Sequence, residues 1–131
     1  MKSIRKNILG LFTFALLLFA GDLSAQQVAN YDGCAVYAAN AFTPNGDGVN
    51  DLFPVVVSEN CNPVSYHLRI YDRWGRLVYE SLDPSEAFNG YYDGQTLKEG
   101  VYLWRLVARY ETPSQERIVS IDERGSVVLI R

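Results

Sequence analysis

The chain has 131 residues, with twelve Lys or Arg against fifteen Asp or Glu, for a net charge of −3. That length suits one domain and not two. An acidic chain with no basic stripe is a poor nucleic-acid binder, and no basic amphipathic helix is present to lie on anionic lipid.

Residues 1–25 read as a cleavable signal peptide. Lys2, Arg5 and Lys6 form a basic start, Ile8 to Ala20 an apolar core, and Leu23-Ser24-Ala25 a cleavage site ending in a small residue. The apolar run is too short for a comfortable membrane span. Without this segment nine basic and fourteen acidic residues remain, a net charge of −5, and Lys98 is the only lysine. Residues 26–33 are polar and aperiodic and are expected to form a flexible lead.

From Cys34 onward the pattern is all-β. Short runs rich in Val, Tyr, Phe, Ile and Trp alternate with Gly, Pro, Asn and Asp. Strand regions are expected over Cys34–Thr43, Leu52–Ser58, Val64–Asp72, Arg76–Ser81, Val101–Glu111, Gln115–Ile121 and Ser126–Arg131. Pro54 marks an edge or a bend. Arg73-Trp74-Gly75 closes a hairpin between the third and fourth runs. About seven strands at this spacing imply an Ig-like antiparallel β-sandwich over residues 34–131. The expected core includes Tyr66, Leu68, Ile70, Val78, Tyr102, Trp104, Leu106 and either Val128 or Leu129.

Cys34 and Cys61 both fall in the part expected to be exported. An oxidising compartment makes a disulfide between them the default. No C-x-x-C is present, which speaks against a zinc or redox role.

The loop Asn40-Ala-Phe-Thr-Pro-Asn-Gly-Asp-Gly-Val-Asn-Asp51 holds two glycines, a proline, three asparagines and two aspartates. Two readings stand. Asn45, Asp47, Asn50 and Asp51 converge on a Ca²⁺ ion, since hard cations take oxygen ligands. Alternatively Asn-Gly and Asp-Gly are turn dipeptides and no metal is needed. An EF-hand loop is not matched, because Val49 stands at its fifth position and no Glu follows.

Four motifs in order carry a resemblance. The first is the Asn40–Phe53 loop; the second is Leu68-Arg-Ile-Tyr-Asp-Arg-Trp-Gly-Arg-Leu-Val-Tyr-Glu-Ser81. The third is Phe88-Asn-Gly90 with Gly94 and Leu97-Lys-Glu-Gly-Val-Tyr102; the fourth is Gly125-Ser-Val-Val-Leu-Ile-Arg131. Together they resemble the gliding motility-associated C-terminal domain, also called the type B sorting domain of the type IX secretion system of Bacteroidota. The family usually has Trp where this chain has Phe88. The resemblance implies a non-catalytic address. The chain would reach the periplasm by Sec and be read by the type IX outer-membrane machinery and a type B partner outer-membrane protein. Delivery to the cell surface or medium would follow. Family members usually carry a large cargo in front, and here none is expected.

Partner-facing residues are expected at two places. Val127, Val128, Leu129, Ile130 and Arg131 form an apolar terminal strand, open to β-augmentation if it lies at an edge. Trp74 either caps the sandwich end or stands exposed as an anchor. The alternative function is a stand-alone Ig-like surface binding or adhesion module, Ca-stabilised, using Tyr31, Tyr37, Tyr91 and Tyr92. Catalysis has little support. His67 is the only histidine, with no nucleophile elbow to serve, and no small-molecule substrate or further cofactor is expected.

Overall fold

The computed structural model describes residues 26–114 and 117–131; the expected signal peptide lies outside them. The described chain is all-β, ten strands in two packed sheets plus one small hairpin. The strands are β1 (Gln26–Tyr31), β2 (Cys34–Ala39), β3 (Ala41–Phe42), β4 (Val55–Val57) and β5 (Asn62–Tyr71). They continue with β6 (Leu77–Ser81), β7 (Tyr91–Tyr92), β8 (Gln95–Thr96), β9 (Gly100–Glu111) and β10 (Ile118–Leu129). One sheet runs β1-β2-β4, the other β3-β10-β9-β5-β6, and β7-β8 stand apart. All pairs are antiparallel except β3 with β10.

The sandwich forms because alternation gives each long strand one apolar face. On β9, Tyr102, Trp104, Leu106, Ala108 and Tyr110 are buried, while Val101, Leu103, Val107 and Arg109 face out. Tyr66, Leu68, Ile70 and Val78 join them from β5 and β6, and Leu129 rather than Val128 is the buried terminal residue. Val36, Ala38 and Val55 close the core from the smaller sheet. The sheets are tied by the Cys34–Cys61 disulfide, by the Tyr66 hydroxyl, which donates to Val55 O at 2.9 Å, and by Gln27 and Tyr31 of β1, which bond β10.

A second part of the core was not visible as alternation. Phe42, Phe53 and Phe88 are fully buried, though they sit in or beside loops. Phe53 and Phe88 exchange both backbone hydrogen bonds, at 2.8 and 3.0 Å. Phe88 is the hub, its ring 5.2–6.4 Å from those of Tyr79, Phe42 and Tyr102. Tilted aromatic contacts of this kind add to plain burial.

Four expectations are corrected. Residues 26–31 are not a flexible lead but strand β1, paired along its length with β2. The run Cys34–Thr43 is two strands in different sheets, because the chain crosses over at Asn40. The last two expected strands are one, β10, with Gly125 inside it where a Cβ would strike Trp104 and Gln27; residues 115 and 116 of the earlier run lie outside the described residues. Finally, the end of the terminal strand is not an open edge. β10 is held by β9 on one side and by β3 at Val128 and Leu129 on the other.

Candidate partner-recognition site

The hairpin turn between β5 and β6 is built around Asp72. Its Oδ1 accepts from the backbone N–H of Trp74 and of Arg76, each at 2.9 Å. Asp72 N donates to Arg76 O at 2.9 Å, and Gly75 N donates to Asp72 O at 3.0 Å. Gly75 takes φ +81, a backbone angle that side chains with a Cβ rarely adopt. The Arg76 guanidinium adds an ion pair at 3.1 Å. These donors, the Arg76 N–H foremost, hold the Asp72 carboxyl below its usual range.

The result is a rigid turn whose indole points outward. Trp74 is 82% exposed, so it does not cap the sandwich. Arg73 stacks on it, with the guanidinium carbon 5.2 Å from the ring centre, and Arg76 lies 5.0 Å from the ring of Tyr92. Beside the turn is a cleft of about 430 Å³ lined by Asp72, Trp74, Tyr92, Lys98 and Tyr102, among others. Trp, Tyr and Arg around a concavity are the residue types that dominate binding energy at protein interfaces.

The Asn/Asp loop is equally well ordered, by its own groups. Asp51 accepts from three backbone N–H groups: Asn45 at 3.0 Å and Gly46 at 2.8 Å on Oδ1, Gly48 at 2.7 Å on Oδ2. Asn45 Oδ1 accepts from Asp47 N at 3.1 Å, and Asp47 Oδ1 from Val49 N at 2.8 Å. Thr43 N donates to Asn50 O at 2.7 Å across the base. The N–H groups, Gly46 first, hold the Asp51 carboxyl below its ordinary value. N–H dipoles converging on a carboxylate make an anion cradle. The side chains of Asn45, Asp47 and Asp51, with the Asn50 carbonyl, thus order the loop from within through turn-type hydrogen bonds. Among the described residues no three His, Cys, Asp or Glu side chains group to hold a metal.

Arg131 joins this loop to two others. Its guanidinium donates to Pro44 O at 3.0 Å, Leu97 O at 3.1 Å and Gly90 O at 3.3 Å, and its backbone N–H donates to Glu99 at 2.6 Å. Of the expected terminal partner residues, Val127 and Leu129 are buried, whereas Val128 and Ile130 are partly exposed. Leu97 and Glu99, which Arg131 bonds, also line the Trp74 cleft, so the strand end borders that cleft.

The remaining candidates are dispersed. Tyr31 and Tyr37 project from opposite faces of the small sheet, as their register and burial require. Tyr31 instead reaches β10: its hydroxyl donates to Asp122 O at 3.3 Å and contacts the Glu123 carboxylate. Burial and then Glu123 push that hydroxyl up to about 12. Tyr91 lines a groove with Arg131 and Asp51, and Tyr92 lines the Trp74 cleft. The four tyrosines do not make one binding face. His67 sits on the outer sheet face against Glu80 and Arg69. It holds the Glu80 carboxyl below its usual range. Neither the Trp74 cleft nor the Arg131 groove includes it.

Sequence reasoning missed Asp72 as the organiser of the Trp74 turn. Asx residues that accept from N–H groups two to four positions on are a known turn device, and Asp72-Arg-Trp-Gly-Arg76 has that form. A family model described as CHU_C Type IX secretion signal domain matches residues 36–126, more than half of the chain. No curated protein and no solved structure is significantly similar to it.

Proposed function

We propose that this chain, which belongs to the CHU_C type IX secretion signal domain family, is a type B sorting module read through the Trp74 turn. Recognition by the type IX machinery and export to the cell surface or medium follow from membership in the family. A module of this kind sorts and does not catalyse. The finer steps are part of the proposal. The chain reaches the periplasm by Sec, loses residues 1–25, folds, and forms its disulfide. A type B partner protein in the outer membrane then docks on the folded sandwich.

The observation that carries this reading is the exposed indole of Trp74 on a pre-organised turn. Holding a large aromatic in water gains the fold nothing, and its fixed geometry lowers the entropy cost of docking. The strand end supports a second contact through Val128, Ile130 and Arg131 rather than through the whole of 127–131. Nothing in the arrangement favours the adhesion alternative over this one.

The test is delivery of a reporter fused in front of the domain, in a bacterium with a working type IX system. Trp74→Ala is expected to cut surface delivery severalfold while leaving the melting temperature unchanged, because the ring is exposed. Undiminished delivery of Trp74→Ala would remove the turn as the docking site. Delivery that persists without the type IX machinery would remove the sorting role.

A further inference from the structure

The outer face of the five-stranded sheet carries an unusual row. Arg69 on β5 lies directly opposite Arg105 on β9, and Arg105 directly opposite Arg124 on β10. Directly opposed side chains have Cβ atoms about 5 Å apart, and like charges there are destabilising. Only part of this charge is met within the chain. Arg105 makes a two-point pair with Asp122 at 2.9 and 2.8 Å. Arg69 lies 3.7 Å from Glu80. Arg124 makes no ion pair among the described residues, and neither does Arg109, which projects from the same face of β9.

An apolar strip runs beside the row. Val101 opposes Val128, and Leu103 opposes Tyr71, which in turn opposes Leu77. Val101, Leu103, Val128 and Leu77 are 37–51% exposed. A groove of about 510 Å³ lies between Tyr71, Leu103, Arg105, Arg124 and Ser126, joining strip and row.

We propose that this face is a second docking surface, for an acidic segment of a partner protein whose apolar side chains cover Leu103 and Val101 and whose carboxylates pair with Arg124 and Arg109. Charge complementarity selects the occupant. The chain is acidic as a whole, yet Arg109 and Arg124, neither with an ion pair among the described residues, share this sheet face. An arginine fork takes a carboxylate in a two-point pair, which fixes register as well as adding energy. A lipid surface fits less well, because Asp122 and Glu80 are interleaved with the arginines and a uniformly anionic membrane would repel them. A protein can place its carboxylates only over the free cations. This inference does not rest on the secretion reading, since it concerns binding by the purified protein alone.

The experiment is amide-resolved NMR titration of the purified, isotope-labelled protein with three probes. They are a short peptide alternating Glu with Leu or Val, the same peptide with Gln for Glu, and vesicles of phosphatidylglycerol and phosphatidylcholine in equal parts. The Glu peptide is expected to shift the amides of Val101, Leu103, Arg105, Arg124 and Val128, more weakly as salt rises. Its affinity should fall about tenfold with the Gln peptide, and similarly for Arg124→Glu. Arg124→Gln, which keeps the size without a new charge, is expected to lie between and to retain the wild-type spectrum elsewhere. Shifts confined to other surfaces, no binding, or equal binding of both peptides would overturn the proposal. Binding of vesicles in preference to the Glu peptide would overturn it in favour of a membrane.

Discussion

The indole of Trp104 lies against the backbone of Gly125, so close that a Cβ on Gly125 would sit 2.8 Å from its Cζ2. The Gln27 side-chain oxygen would be closer still, at 2.2 Å. Gly125 is therefore the point where β9, β10 and the β1 strap meet without room for a side chain. Gly125→Ala must displace either a buried tryptophan or the strap. Overpacking of this kind costs about 1–3 kcal/mol, and thermal unfolding followed by circular dichroism should show the fall. A Gly125→Ala variant with an unchanged midpoint would mean the strap yields freely.

The disulfide is the second measurable link. Cys34 and Cys61 are 27 positions apart and tie β2 to the segment leading into β5. In the chain-entropy view, opening a loop of that length costs about 3.5 kcal/mol. Unfolding in denaturant with and without reductant is expected to differ by about that amount, with the fold surviving because the Phe42–Phe53–Phe88 cluster does not depend on the bridge. Equal stability in both conditions would show that the reduced chain is already constrained.

Acid should loosen the two ordered loops together. The carboxyls of Asp51 and Asp72 are held below their ordinary value by backbone N–H groups, those of Gly46 and Arg76 respectively contributing most. A carboxyl depressed in the folded state stabilises the fold above its unfolded pKa of about 4. That stability is lost as pH falls through the folded value. Hydrogen exchange of the Gly46, Gly48, Trp74 and Arg76 amides, corrected for its intrinsic pH dependence, should therefore lose protection below about pH 4. Asp51→Asn should remove the effect at Gly46 and Gly48 and leave it at Trp74.

Metal removal separates the two readings of the Asn/Asp loop. Because the loop's own turn hydrogen bonds already order it, EDTA is expected to leave the melting temperature unchanged. A cation at a hundred times its dissociation constant would stabilise by about 2.7 kcal/mol, so a drop on chelation would restore Ca²⁺ as a ligand of Asp47 and Asp51.

What the sequence disclosed follows from which forces have a period. β5 and β9 alternate cleanly, so Leu68, Ile70, Trp104 and Leu106 were legible as core, and the exported setting made Cys34–Cys61 legible as a bridge. Phe42, Phe53 and Phe88 were not, because each sits where the chain turns and only long-range packing buries it. The position of β10 was hidden for the same reason. Its neighbour β3 is two residues long and parallel, arriving from a crossover at Asn40 that leaves no local pattern. Strand β1 was missed because its sequence, Gln-Gln-Val-Ala-Asn-Tyr, is polar on both faces; it is fixed by the ladder to β2 and by the contacts of Gln27 and Tyr31 with β10. Trp74 was left open between cap and anchor, since a turn residue has no face until the fold assigns one.

The most direct test of the account follows the protein itself in a host that exports it. The measurement is the fraction digested by external protease on intact cells, plus the fraction in the medium, with the type IX machinery working and with it disabled. The account predicts that this external fraction collapses without the machinery while folded, disulfide-bonded protein builds up inside the outer membrane. An external fraction that stays the same in both hosts would contradict it.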